Sequence, residues 1–231
     1  MATATGTPTE GTRLHRDLAE GETRIVLRNI DWALYEALGE RMADGAVRMT
    51  YDGRALEFMT TSSRHEFLKS FAGEFVAEIA KEWDECAGII PLGSTTWKSL
   101  ALAKGLEADQ CYYLDPAKLA TVAGRVPDQD RDATPDVAIE IEITSSPMDK
   151  MAIYAALEVV EVWRYDGEAA TISRLGEDGA YHQVETSRFL PVTADDLARW
   201  LETAERIAEL RAWTRQLRAW IRDDLNRRER G

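Results

Sequence analysis

Asp136, Glu140 and Glu142 stand at even positions of a segment whose odd positions are Val137, Ile139, Ile141 and Ile143. Alternation with period 2 is the signature of a strand. It sets the three acids and Ala138 on one face and four β-branched residues on the other. Carboxylates held side by side disfavour one another's ionisation, so solvent, a cation or a lysine must offset them. Lys150 follows at the start of the next helical stretch. Crowded acids with a lysine close behind imply a metal site of the nuclease type.

Geometry selects among the acids. Asp136 and Glu140 are four residues apart on one strand, about 13 Å at ~3.3 Å per residue. A metal ion holds its oxygen ligands at about 2.1–2.6 Å, so these two cannot easily share one. Asp109 is the better partner: if the strand after it pairs antiparallel with the acidic strand, Asp109 faces Glu140 and Glu142. Asp136 then either caps the far end of the strand or has a catalytic role of its own. His65 and Glu66, at the start of a long helix expected to pack near the sheet, are further candidates. Ser146, Pro147 and Asp149 resemble a capping box that would start a helix at about Ser146. Lys150 and Tyr154, four apart, share a face of that helix. The stem of Lys150 is long enough to swing its ammonium back over Glu140 and Glu142.

The elements that must position these residues are legible from pattern. Thr23 to Arg28 reads as a strand and Trp32 to Ala43 as a helix. Ala46 to Met59 reads as a hairpin turning at Asp52-Gly53. Thr61, Ser62 and Ser63 offer N-caps for a helix to about Trp83, with Leu68, Phe71, Phe75 and Ile79 as its apolar stripe. Gly88 to Trp97 reads as a strand with a turn at Leu92-Gly93. Gln110 to Leu114 reads as a strand ended by Asp115-Pro116, followed by a polar connector from Arg125 to Thr134. The acidic strand, the Lys150 helix and the strand Val160 to Tyr165 form a strand-helix-strand unit, so those two strands should be parallel. Ala169 to Leu175 and Tyr181 to Val184 add a hairpin, and the chain is helical from Asp195.

Composition bounds the rest. A chain of 231 residues with 45% apolar content supports one domain with an appendage. The expected division is a disordered tail over 1–20, a nuclease-like domain over 21–200 and an amphipathic helix over 201–231. The tail lacks the basic and apolar regions of an export signal. No apolar run reaches the ~20 residues of a membrane span. Two cysteines suit a reducing cytoplasm, and three unpaired histidines argue against zinc. The net charge of −13 argues against a protein that coats nucleic acid, because such binding is mostly phosphate neutralisation. Contact confined to one face remains compatible with that charge.

The order Pro-Asp, Ile-Glu-Ile-Glu, Ser-Pro-Met-Asp-Lys, Tyr154, then Val-Glu-Val-Trp-Arg-Tyr-Asp-Gly resembles the Uma-type putative restriction endonuclease family of the PD-(D/E)XK nuclease superfamily. The likeness extends upstream through Glu107-Ala-Asp-Gln-Cys-Tyr-Tyr, Leu92-Gly-Ser-Thr-Thr-Trp and Leu56-Glu-Phe-Met, covering roughly Trp32 to Leu201. It implies an α/β (α+β) fold with a mixed central sheet flanked by helices and acids at one edge. Asp109 would match the metal-binding aspartate and Glu140 the glutamate of the third motif. The superfamily's lysine two places later is here Glu142, so Lys150 would act as a migrated lysine supplied by the helix.

The chemistry implied is phosphodiester hydrolysis with Mg²⁺, or Mn²⁺ in its place, held by Asp109 and Glu140. Lys150 would orient or deprotonate the water, or stabilise developing charge. Glu142 would be a third ligand or the group that fixes Lys150. The expected partner is DNA. A non-catalytic interaction module on the same fold is the competing reading, favoured by the acidic balance; a small-phosphate hydrolase is a third. Ile207, Leu210, Trp213, Leu217, Trp220 and Ile221 recur at helical spacing beside Arg211, Arg215, Arg218 and Arg222. That stripe packs on its own domain or on a second subunit as a homodimer, or its arginines track phosphates.

Overall fold

The computed structural model describes residues 22–42, 47–129 and 131–225. The tail assigned to 1–20 lies outside the described residues. Local chemistry sets most element ends. In the first hairpin, β2 (Val47–Tyr51) turns into β3 (Ala55–Thr60) where the Asp52 carboxylate accepts the amides of Arg54 and Ala55 and Gly53 takes φ +99°. A positive φ there costs a glycine little. Helix α2 (Ser63–Glu82) starts where the Ser62 hydroxyl accepts the His65 amide, satisfying one orphan donor of the first turn.

Two sheets result. The first is antiparallel and pairs β1 (Thr23–Arg28), β3, β2, β6 (Lys104–Glu107) and β5 (Thr96–Ser99) in that order. Helix α1 (Trp32–Met42) covers it, stacking Tyr35 on Tyr51 at 4.8 Å. The second sheet has the order β11-β10-β9-β8-β7-β4: Tyr181–Val184, Ala170–Leu175, Glu161–Tyr165, Val137–Ile141, Gln110–Tyr113 and Ile90–Pro91. Strands β8 and β9 are parallel and the other pairs antiparallel, so this is the mixed central sheet of an α+β fold. The segment read as one strand from Gly88 to Trp97 instead crosses between sheets. Ile90–Pro91 pairs with β7, Gly93 turns with φ +61°, and Thr96–Ser99 pairs with β6.

The strand-helix-strand unit places α4 (Lys150–Ala156) between β8 and β9. Val137, Ile139 and Ile141 pack under α2 and the C-terminal helices, whereas Ala138 packs with Ile153 and Tyr154 of α4. Both faces of β8 are therefore covered, and its acidic face is an interior face. Asp115-Pro116 follows the end of β7 but also starts a helix, α3 (Pro116–Val122), in a stretch to which the sequence pattern assigns no element. Asp115 caps the amides of Ala117 and Lys118, and proline fits the first helical position.

The C-terminal part forms two helices, α5 (Ala194–Ile207) and α6 (Leu210–Trp220), with a π-turn over Ile221–Leu225. They break at Ala208, which takes φ 53°. Trp200 meets Trp213 edge to face and Trp220 at a tilt, and Trp213, Leu217 and Ile221 are buried in this chain's own core. Arg218 pairs with Glu78 and Glu82 of α2, and Arg222 with Glu82, while Arg211 and Arg215 are exposed. Apart from the exposed Leu210, the apolar stripe is thus covered within the chain. No described helix is long and apolar enough to cross a membrane.

Candidate functional site

Antiparallel pairing of β7 with β8 sets Gln110 opposite Ile139 and Cys111 opposite Ala138. One residue further on, Asp109 lies opposite Glu140. Its amide donates to the Ile139 carbonyl at 3.2 Å, and its Oδ2 accepts the Ile141 amide at 2.6 Å. The register of β7 and β8, continued one residue past the end of β7, thus sets the two acids at neighbouring positions. Both are 1% exposed or less.

Cations surround them. Lys150 Nζ donates to Glu140 Oε2 at 2.7 Å and lies 4.0 Å from Glu142 Oε1. The Tyr154 hydroxyl donates to Glu140 Oε1. Burial, and next the Glu140 charge, push the Tyr154 phenol well above its ordinary value, so it stays a donor. Across the parallel pair, Arg164 lies opposite Glu140 and holds Glu142 Oε2 through Nη2 at 2.6 Å and Nε at 3.2 Å. From the first sheet, the buried Arg48 contacts Asp109 Oδ1 and lies 3.5 Å from Glu66. Repulsion on the acidic face is therefore offset internally, each acid by its own cation. Neutralising Glu140 would not simply relieve crowding, as the alternation alone suggests, because it would leave a buried lysine without its counter-charge.

Lys150 reaches the glutamate from a helix that starts later than the spacing predicts. Asp149, not Ser146, is the N-cap, accepting the Ala152 amide at 3.1 Å. Ser146 instead accepts the Met148 amide and donates to Glu57 at 2.9 Å. An aspartate one residue before the helix satisfies the first-turn donors as well as serine does, and Ser146 is held outside by Glu57.

His65, on the first turn of α2, is fully buried between two carboxylates. Its Nδ1 lies 2.6 Å from Glu22 Oε1 and its Nε2 2.8 Å from Asp109 Oδ1. Ionised carboxylates only accept, so this chain of three groups needs two protons. Burial would raise the Glu22 carboxyl, but hydrogen bonds from His65, Thr144 and Arg24 bring it down to about 2. Glu66 is half exposed and pairs with Lys69 and Arg48 at 3.5 Å each. Glu107, next along β6, is raised by burial, against the pull of Arg48 and Lys69.

Asp136 is remote. Its Oδ2 accepts the amides of Leu114 and Asp115 at 2.8 Å each, and Lys118 lies 2.8 Å from Oδ1. It closes the far end of β8. The structure thus brings together Asp109, Glu140, Glu142, Lys150 and His65, with Glu66 at the margin and Asp136 elsewhere. Sequence reading passed over Glu22, Arg48 and Arg164. Arg164 could have been found, because parallel pairing and alternation place it beside Glu140. Nothing local marks Glu22 or Arg48.

The donor set is compatible with a small hard cation. Mg²⁺ keeps several waters and takes one or two protein carboxylates plus substrate phosphates, which Asp109 and Glu140 could supply. No group of three histidine, cysteine, aspartate or glutamate ligands is gathered among the described residues, so a closed all-protein cage is not what they form.

A family model described as "Uma2: Putative restriction endonuclease" matches residues 32–204. No curated protein matches the sequence. Among solved structures, the chain is similar to one titled as a putative nuclease belonging to DUF820 from Anabaena variabilis ATCC 29413. The two share 13% identity with a TM-score of 0.47, over 67% of this chain and 90% of that one. The family match spans most of the sequence, from α1 through nearly all of α5, and the chain belongs to the Uma2 family.

Proposed function

We propose that the chain is a Mg²⁺-dependent endonuclease that hydrolyses phosphodiester bonds in DNA. The observation that carries this reading is the opposed pair Asp109 and Glu140 with the Lys150 ammonium 2.7 Å from Glu140. Asp109 and Glu140 are the residues that would hold Mg²⁺ or Mn²⁺, which would lower the pKa of a water and polarise the phosphate.

The protein groups do the rest. A water oxygen bonds to phosphorus as the bond to the leaving sugar oxygen breaks; the water gives up a proton and the leaving oxygen gains one. Lys150 supplies positive charge and donors where negative charge develops. Tyr154 holds Glu140 Oε1, so the glutamate presents one orientation to the reaction. Arg164 holds Glu142 and limits its pull on Lys150.

A non-catalytic interaction module is the second reading. Two observations favour it: the net charge of −13, and the engagement of Asp109 and Glu140 by groups of the protein itself. Incubation of supercoiled plasmid with the chain separates the two readings. Nicking is expected with Mg²⁺ and absent with a chelator or with Glu140→Gln. A folded wild-type chain that leaves plasmid intact at every Mg²⁺ and Mn²⁺ concentration would overturn the first.

A further inference from the structure

Glu22 is built into the molecule more tightly than an ordinary surface-strand acid needs to be. Its side chain is inaccessible to solvent, and it accepts from five donors. These are His65 Nδ1 at 2.6 Å, Arg24 Nη2 at 2.6 Å, Thr144 Oγ1 at 2.7 Å, and the amides of Thr144 and Ile143 at 3.1 and 3.3 Å. Arg24 is tied in turn to Glu57 at 2.8 Å and to the Thr144 carbonyl at 3.0 Å. The ring of His65 is therefore held at one end by the residue before β1 and the segment after β8. Its other end is aimed at one oxygen of Asp109.

We infer that Glu22 and His65 are positioning residues that fix the Asp109 carboxylate for metal binding, an inference that rests on the metal-dependent reading above. Asp109 is then held at both oxygens, Oδ1 by His65 and Oδ2 by the Ile141 amide. Its remaining contact, Arg48, has an alternative acceptor in the half-exposed Glu66 at 3.5 Å. Arg48 can therefore yield to an arriving cation while His65 stays in place. A buried imidazole between two buried carboxylates is expensive to desolvate, and a packing residue of similar size would stabilise α2 without it. What the imidazole adds is a fixed direction for the Asp109 lone pairs. Partners of metal ligands that act in this way typically govern metal affinity by 10–100-fold.

The two ring nitrogens can be tested separately by calorimetric titration with Mg²⁺. The amide of His65→Gln reaches about as far as Nε2 and can still donate to Asp109. The amide of His65→Asn reaches only about as far as Nδ1 and can serve Glu22 alone. His65→Asn is expected to weaken Mg²⁺ binding by roughly 10–100-fold, His65→Gln to recover most of it, and DNA affinity measured without metal to stay at the wild-type value in both. Glu22→Gln, which leaves Asp109 and His65 untouched chemically, is expected to fall between them. Equal losses for Asn and Gln that follow their melting temperatures would reduce His65 to a packing role. Wild-type affinity in His65→Asn, or in Glu22→Gln if the histidine variants do not fold, would also overturn the inference. A wild-type chain that binds no Mg²⁺ or Mn²⁺ overturns the metal-dependent reading itself, and this inference with it.

Discussion

The two ends of β8 carry the same chemistry to opposite purposes. At one end Asp136 is alone: one carboxylate oxygen accepts two backbone amides, and Lys118 lies 2.8 Å from the other. At the other end Glu140 shares a face with Asp109 and Glu142, and the offsetting groups are long, movable side chains: Lys150, Arg164 and Arg48. Backbone amides are fixed by the sheet, so an acid they satisfy serves the fold. Charged side chains can be exchanged for another cation or a phosphate, so acids they satisfy remain chemically available. Burial alone does not separate the two ends, since Asp136 and Glu140 are both about 1% exposed. The kind of partner does.

The sharpest way to break this comparison is Lys150→Met, which removes charge and keeps bulk. Single-turnover cleavage should fall by about 10²–10⁴-fold, the usual span for a group acting on a proton or a developing charge. Lys150→Arg should restore little if deprotonation is needed, because guanidinium stays charged in proteins. Cleavage near the wild-type rate in the methionine variant would make the Glu140 end as purely structural as the Asp136 end.

Acid supplies the next test. The Glu22 carboxyl is held at about 2 against an ordinary value of 4.5, so its folded pKa is depressed. Its contribution is then fully present above about pH 4.5 and is lost as pH falls toward 2. A shift of that size corresponds to about 3 kcal/mol. Urea unfolding of wild type and Glu22→Gln should show a stability gap that narrows through this window. A gap independent of pH would detach Glu22 from the charged end.

The smallest effect is expected at Asp136. Asp136→Asn puts an amide toward Lys118 or toward the two backbone donors, and should cost about 1–3 kcal/mol in denaturant unfolding. At saturating Mg²⁺ its cleavage rate should match wild type. Loss of cleavage with stability intact would move Asp136 into the chemistry.

The alternation from Val137 to Ile143 and the pairing logic that set Asp109 beside Glu140 are local arguments. They describe the central sheet because period-2 burial leaves few choices. The reach of Lys150 was likewise legible, being a matter of stem length and a helix that follows the strand. What escaped reading is either ambiguous locally or distant. Asp115-Pro116 is as good a helix start as a strand end, and Asp149 competes with Ser146 for the same cap. The crossing of Gly88 to Trp97 between two sheets depends on which strands lie waiting on either side, which its own residues do not encode. Glu22 meets Thr144 across 122 positions and His65 across 43, and no periodicity spans such gaps. The outer support of the site was therefore invisible while its central acids were plain.

The same separation has a consequence in time. Glu22 leaves the ribosome more than a hundred residues ahead of its partners in the Ile143–Thr144 segment. Closing so long a loop carries an entropic cost that must be met before the contact rewards it, and non-local pairings of this kind slow folding. Until β8 is made, Asp109 lacks both the Ile141 amide and the opposing Glu140. A nascent or truncated chain ending before β8 thus has no assembled acid pair, and the site closes only once Ile141 to Thr144 and Lys150 have been made.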